Sequence, residues 1–149
     1  MFEHDYSKYP ELTNTQLQTQ QFTTPHVQIT EDFFATVVKV HDGDTVTLST
    51  DFRDFTFPLR LLGIDAPELN AGGQESREYL KSMCEGKDVM IQVDKNQRVG
   101  KYGRLLGTIM VDGVSANDTM VRMGYAVPFN QRREGQIPDM NMMMQEVAI

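Results

Sequence analysis

Between Phe33 and Ser49 a β-branched and aromatic run is interrupted once, at Asp42-Gly43. Such runs favour extended backbone, and Asp-Gly is among the strongest hairpin-turn dipeptides. The chain is therefore expected to fold back here, with Phe33–Val40 as one strand and Asp44–Ser49 as its antiparallel partner. Alternation along the second strand puts Asp44, Val46 and Leu48 on one face. Two of the three are apolar, so that face points inward and takes Asp44 with it. An inward carboxylate at a strand end needs a partner, because burying an unpaired charge is costly. A metal ion or an arginine would supply one.

The rest of the chain adds short elements at regular intervals. Residues 51–54 form a polar loop. Phe55–Ile64 reads as a third strand, apolar almost throughout and so buried on both sides for part of its length, with Pro58 marking an edge or a bulge. After Gly72-Gly73 the spacing turns helical: Gln74–Cys84 carries Tyr79, Leu80, Met83 and Cys84 on one stripe, and Gly86 stops it. Asp88–Asp94 and Arg104–Val111 read as the fourth and fifth strands, separated by the polar loop Lys95–Lys101. Asp112-Gly113 is a further turn. Ser115 then reads as a helix N-cap with Asp118 three residues on, and Ala116, Met120 and Met123 as that helix's buried stripe, closed by Gly124. Five strands with a helix between the third and fourth is the order of an OB-fold barrel, an α+β chain that is mainly β. Pro138 opens a short C-terminal helix whose Met140, Met142, Met143 and Met144 are expected to cover one end of the barrel.

At 149 residues the chain is one domain. Residues 1–32, rich in Gln and Thr and without periodicity, read as a polar, loosely ordered tail, with an edge strand at Val27 and Ile29 as the alternative; residues 33–149 are the domain. The net charge is -7, but residues 33–135 hold fourteen acids against thirteen bases, so the folded part is near neutral. Such a balance argues against tight nucleic-acid binding through charge alone. It leaves room for an enzyme whose carboxylates are offset by a cation. The single cysteine, Cys84, excludes an intrachain disulfide and is placed as a small buried hydrophobe. His4, His26 and His41 share no metal-ligand spacing. No segment has the apolar length of a membrane span, and the N-terminus lacks the apolar run of a signal peptide. The expectation is a soluble, cytoplasmic monomer, with export by another route left open.

Arg60 stands in a run of phenylalanines and leucines, so its guanidinium must be paired or lie at the barrel's rim. Strand parity gives Arg60 and Asp65 opposite faces; for both to serve one site the chain must leave regular strand between them. Gly63 and Ala66-Pro67 allow this, and Asp65 and Glu68 then fall on a tight loop. Asp44 and Asp65 would form a hard-oxygen site suited to Ca²⁺ or Mg²⁺, completed by a backbone carbonyl such as that of Ala66 and by water. Glu68 is placed to hold a water. Arg60 and Arg104 can fork onto phosphate oxygens, as lysine cannot. A metal, a water-holding carboxylate and two arginines are what electrostatic catalysis of phosphoryl transfer requires.

Over about residues 33–127 the chain resembles the staphylococcal nuclease (thermonuclease) family. The resemblance is carried by Asp42-Gly43-Asp44-Thr45, Arg60-Leu61-Leu62-Gly63-Ile64-Asp65-Ala66-Pro67-Glu68, Gln74-Glu75-Ser76, Lys101-Tyr102-Gly103-Arg104 and Asn117. It implies an OB-fold and Ca²⁺-dependent endonucleolytic hydrolysis of DNA and RNA to 3′-phosphate and 5′-hydroxyl ends, with Mg²⁺ or Mn²⁺ as alternative metals. By the same resemblance Asp44, Asp65 and the Ala66 carbonyl hold the metal. Glu68 is the general base or water orienter, Arg60 and Arg104 bind the scissile phosphate, and Lys101 and Tyr102 contact a terminal phosphate. Three departures stand out. Gly100 replaces an Asp frequent in relatives, Phe129 is the one aromatic candidate for stacking on a base, and a short Met-rich segment replaces the long basic C-terminal helix.

The competing reading is a non-catalytic OB-type module that binds single-stranded nucleic acid or protein. Relatives that have become scaffolds tend to lose the charged site residues, and all five are present here. The acidic balance and the scarcity of aromatic residues also weigh against it.

Overall fold

A computed structural model describes residues 10–14, 27–100 and 104–129. The longest strand, β1 (Phe33–Asp42), pairs antiparallel with β5 (Asp88–Gln92) through Phe33–Thr36 and with β2 (Thr45–Ser49) through Thr36–Asp42. This stagger is what tilted strands in a closed barrel require. The register slips between Val37 and Lys39 and again between Val40 and Asp42. Strict alternation from Phe33, Ala35 and Val37 would turn Lys39 inward. The bulge absorbs one residue, leaves Val38 49% exposed, and returns Val40 to the core.

β3 (Phe57–Leu61) lies antiparallel to β2 and parallel to β6 (Leu105–Val111), which in turn lies antiparallel to β5. The pairings close a ring in the order β1, β2, β3, β6, β5, the five-stranded OB barrel that the element order predicts. The helix α1 (Gln74–Cys84) falls between the third and fourth barrel strands, with the expected bounds. Asp112 and Gly113, both at positive φ, turn β6 into the short β7 (Val114–Ser115). Ser115 then caps α2 (Ala116–Arg122), its hydroxyl accepting from the Asp118 N–H. A separate two-stranded ladder joins β4 (Ile64–Asp65) to β8 (Val127–Pro128). The barrel is filled by Val37, Val46, Leu48, Phe57, Leu59, Leu61, Ile91, Leu105 and Ile109, with Leu80 and Cys84 from α1 and Met120 from α2. Each large apolar side chain so buried contributes roughly 1.5–3 kcal/mol.

Several expectations need correction. The third strand is not continuous from Phe55 to Ile64 and is not buried on both sides. It begins at Phe57, alternates between buried and half-buried residues, and breaks at Leu62-Gly63 before β4. Pro58 pairs with Thr47 and lies just before the pairing with β6 begins at Leu59, so its missing N–H costs that ladder nothing. Met123 is 55% exposed rather than buried, because α2 ends at Arg122 and Gly124 turns the chain at positive φ. Asn117 and Thr119 take places on the buried face instead.

Within the segment read as a loosely ordered tail, Pro10–Leu12 and Ile29 are buried, and no strand forms at Val27–Thr30. The expected C-terminal methionine helix lies outside the described residues. Among the described residues no helix is long and apolar enough to cross a membrane.

Candidate active site

Asp44 is the second residue of the two-residue loop between β1 and β2, where Asp42 pairs with Thr45. Gly43 does not adopt positive φ; what it supplies is room. A Cβ there would come within 2.7 Å of the Ala66 Cβ and 2.8 Å of the Ser76 Cβ. The hairpin tip therefore lies directly on the loop after β4 and on the first turns of α1. The Asp44 N–H is taken by Asp42 Oδ1 at 3.0 Å, which fixes the tip in an Asx-type turn. Asp44 Oδ2 accepts from the Ala66 N–H at 2.8 Å and Oδ1 from the Thr45 hydroxyl at 3.0 Å.

The break that strand parity demands between Arg60 and Asp65 is present. Gly63 sits at φ 81°, so β4 leaves β3 at an angle. Arg60 spans the turn it precedes. Nη1 donates to the carbonyls of Leu61 at 3.2 Å and Ile64 at 3.0 Å. Nη2 lies 3.2 Å from Asp65 Oδ1 and 3.6 Å from Asp44 Oδ2. One guanidinium thus holds two carboxylates from two different turns. Burial pushes the Asp44 carboxyl above its ordinary range, and the nearby Asp42 adds to the rise. The Arg60 guanidinium and the Ala66 N–H act against it.

Arg60 and Arg104 line one cavity of about 260 Å³, together with Leu62, Gly100, Leu106 and Phe129 among others. The Phe129 ring centroid is 5.3 Å from the Arg60 guanidinium carbon, and the Phe129 N–H donates to the Gly63 carbonyl at 2.6 Å. Among the described residues Arg104 forms no ion pair. Glu68 is exposed on the loop that follows Asp65 and Ala66. Its carbonyl takes the N–H groups of Ala71 and Gly73, each at 2.9 Å. A Cβ on Gly73 would lie 2.2 Å from the Pro67 carbonyl, so this loop can close only on glycine. The structure therefore brings together Asp44, Arg60, Asp65 and Ala66, places Arg104 across a shared cavity, and leaves Glu68 on the adjoining loop. Lys101 and Tyr102 lie outside the described residues.

The residue whose part in this arrangement the sequence left unread is Asn117. Its side chain is buried in the first turn of α2, where Nδ2 donates to the Leu62 carbonyl at 2.8 Å and the Gly107 carbonyl at 3.1 Å, and Oδ1 accepts from the Ile109 N–H at 3.1 Å. It ties the turn between Arg60 and Asp65 to β6. The signal was an asparagine among Ala116, Thr119 and Met120, on the face of a short helix that has to be buried. Ser76 has a similar part, its hydroxyl donating to the Tyr125 carbonyl at 2.6 Å.

Comparison with known proteins points to one family. The profile of the family described as staphylococcal nuclease homologue matches residues 58–148. An uncharacterized endonuclease of Escherichia coli O157:H7 is 36% identical over 102 residues, covering 67% of this chain and 63% of that protein. Endonuclease YncB of Bacillus subtilis (strain 168) is 29% identical over 123 residues, covering 76% of this chain and 57% of that protein. A SPbeta prophage-derived endonuclease, YokF, of the same organism is 31% identical over 98 residues, covering 61% of this chain and 32% of that protein. The chain thus spans under two thirds of the length of these relatives. With the OB barrel and a match over more than half of its residues, the chain belongs to the staphylococcal nuclease family.

Proposed function

We propose that this protein is a metal-dependent endonuclease that hydrolyses DNA, and RNA as a second substrate, leaving 3′-phosphate and 5′-hydroxyl ends. The observation that carries the reading is the guanidinium of Arg60, held between the carboxylates of Asp44 and Asp65 and facing a cavity it shares with Arg104. Phosphodiester hydrolysis needs positive charge where phosphate oxygens gather charge, and a cation site beside it.

The donor set fits a hard divalent cation. Asp44 is 8% exposed, and burial raises its carboxyl despite Arg60; a cation beside it would favour its ionised form. Among the described residues no group of three or more His, Cys, Asp or Glu side chains gathers. Asp44, Asp65 and the Ala66 carbonyl would hold the ion, leaving its other positions to water and phosphate, as the six to eight oxygen ligands of Ca²⁺ allow. When bound, the cation offsets charge on the phosphodiester and acidifies nearby water. Arg60 and Arg104 bind the non-bridging oxygens and orient the phosphorus for in-line attack. Glu68 accepts a proton from the attacking water as its oxygen bonds to phosphorus, the bond from phosphorus to O5′ breaks, and O5′ takes up a proton from solvent. Phe129, beside Arg60, offers a face on which a base can stack, and Lys101 and Tyr102 are assigned to a terminal phosphate of the bound nucleotide.

Digestion of denatured DNA in Ca²⁺, in Mg²⁺ and in chelator, with Glu68→Ala beside the parent, tests the proposal. Cleavage by the parent in Ca²⁺ that is lost in chelator and reduced by about 10²-fold in the variant is expected. A folded parent that binds the DNA but cuts it in none of the three conditions would instead make this a binding module.

A further inference from the structure

Two pieces of the N-terminal segment, Pro10–Asn14 and Val27–Thr30, are knotted to the barrel by one buried carboxylate. Glu11 is 0% exposed. Its Oε1 pairs with Nη2 of Arg53; its Oε2 lies 3.2 Å from Nη2 of Arg98 and accepts the Ile29 N–H at 3.0 Å. Arg98 also donates to the carbonyls of Leu12, at 2.6 Å, and Ile29. Arg53 donates to the Val27 carbonyl at 2.8 Å, and its guanidinium carbon lies 4.6 Å from the centroid of the Phe57 ring. Among the described residues Glu11 is the one carboxylate paired with Arg98. A buried cation that loses its single counter-charge is strongly disfavoured, so Arg98 stays where Glu11 holds it.

Arg98 is also where the chain turns toward the cavity. Its carbonyl accepts from the Leu106 N–H at 2.9 Å, the Gly100 N–H donates to the Arg104 carbonyl at 2.8 Å, and Val99 bridges to Leu105. Asn96, Gln97, Val99 and Gly100 line the cavity that Arg60 and Arg104 share. Asn14 Nδ2 grips the start of the same loop through the Lys95 carbonyl at 2.8 Å. One face of the loop therefore forms the cavity wall while the other is fastened to the N-terminal segment. Glu11 and Arg53 lie before the residues that match the family profile, and Arg98 lies within them.

We propose that Glu11 is a positioning residue. Acting through Arg98, it fixes the cavity wall at Asn96–Gly100 and so sets where Arg104 meets the substrate phosphate. The inference rests on the nuclease reading for its catalytic part, whereas its structural part can be read without activity.

The test compares the full chain with its Glu11→Gln variant. Hydrogen exchange at the Gly100 and Leu106 amides is expected to speed up about tenfold or more, while amides of β1 and β2 hold their protection. Single-turnover cleavage of denatured DNA in Ca²⁺ is expected to slow about tenfold in the parent background and to change less than about twofold in an Arg104→Ala background, because the effect passes through Arg104. Unchanged exchange at both amides, or exchange that rises equally throughout the barrel, overturns the clasp. Equal slowing in both backgrounds overturns the link to Arg104. A parent that cuts nothing defeats the nuclease reading, and the exchange measurement alone then decides the clasp. Should Glu11→Gln fail to fold, Glu11→Met with Arg53→Met removes a cation together with the carboxylate, and the same outcomes apply.

Discussion

Arg60 and Asp65 are five residues apart in sequence and joined across a turn, with Nη2 of the arginine 3.2 Å from Oδ1 of the aspartate. The same guanidinium reaches two backbone carbonyls of the turn and the Asp44 carboxylate. A lysine keeps the charge but has neither the planar fork nor the reach to serve these partners together. Arg60→Lys is therefore expected to lower kcat by about 10²-fold or more. The melting temperature should shift by only a few degrees, since the site is at the barrel's rim. Steady-state cleavage and a thermal melt on the same preparations check both parts; an unchanged kcat removes Arg60 from the machinery.

Asn117→Ala deletes a side chain that satisfies three backbone groups at once, two of them through buried bonds. The Ile109 N–H would lose its partner, and the Leu62 carbonyl would lose the bond that ties its turn to α2. Leaving such groups unpaired costs about 1–3 kcal/mol each. The variant should lose roughly 2–4 kcal/mol in urea unfolding, and its residual folded fraction should cut DNA more slowly than the parent because the turn bearing Arg60 and Asp65 is freed. Asn117→Asp keeps the acceptor for Ile109 but not the donors. It should fall between the two only at acidic pH, where its carboxyl can be protonated.

How much of this could be read beforehand depended on the range of the contacts. The hairpin at Asp42-Gly43, the bounds of α1 and the cap at Ser115 are local matters of periodicity and turn chemistry, and the sequence carries them openly. If Arg60 and Asp65 serve one site, parity requires a break between them, and the left-handed Gly63 is that break. Asn117 was less legible, because its partners are 8, 10 and 55 residues away and nothing local announces a buried amide. Least legible was Glu11. Its segment has the composition of a tail, and its partners are 42 and 87 residues distant. A lone glutamate among glutamines and threonines gives no sign of two buried arginines on connections between barrel strands.

Gly43 offers a test that separates space from backbone conformation. Its φ is not positive, so alanine could adopt the same backbone. What alanine lacks is room, with Ala66 and Ser76 Cβ atoms at 2.7 and 2.8 Å from the new methyl group. Overpacking of this kind costs about 1–3 kcal/mol, and it falls between Asp44 and the loop that carries Ala66 and Glu68. Gly43→Ala should lower the urea midpoint accordingly and weaken the proposed cleavage of DNA. Ser76→Gly removes one of the two clashes but also the bond to the Tyr125 carbonyl, so it should cost less in the Gly43→Ala background than in the parent; an equal cost in both would mean that the strain lies elsewhere.

Cys84 gives the clearest pH dependence. It is fully buried on α1, and burial, with Glu85 close by, pushes its thiol up to about 12 from an ordinary value of 9.0. In the unfolded chain the thiol ionises near its ordinary value, so above that pH the unfolded state is favoured by a thiolate that the folded state resists. The contribution to stability is complete below about pH 9 and is lost as pH rises toward 12. Urea unfolding at pH 8 and at pH 10.5 should show a larger drop for the parent than for Cys84→Ala. The same burial predicts that an alkylating reagent at pH 8 labels the native protein only at the rate at which it unfolds. Labelling that saturates within minutes under native conditions would show that α1 opens far more readily than its packing implies.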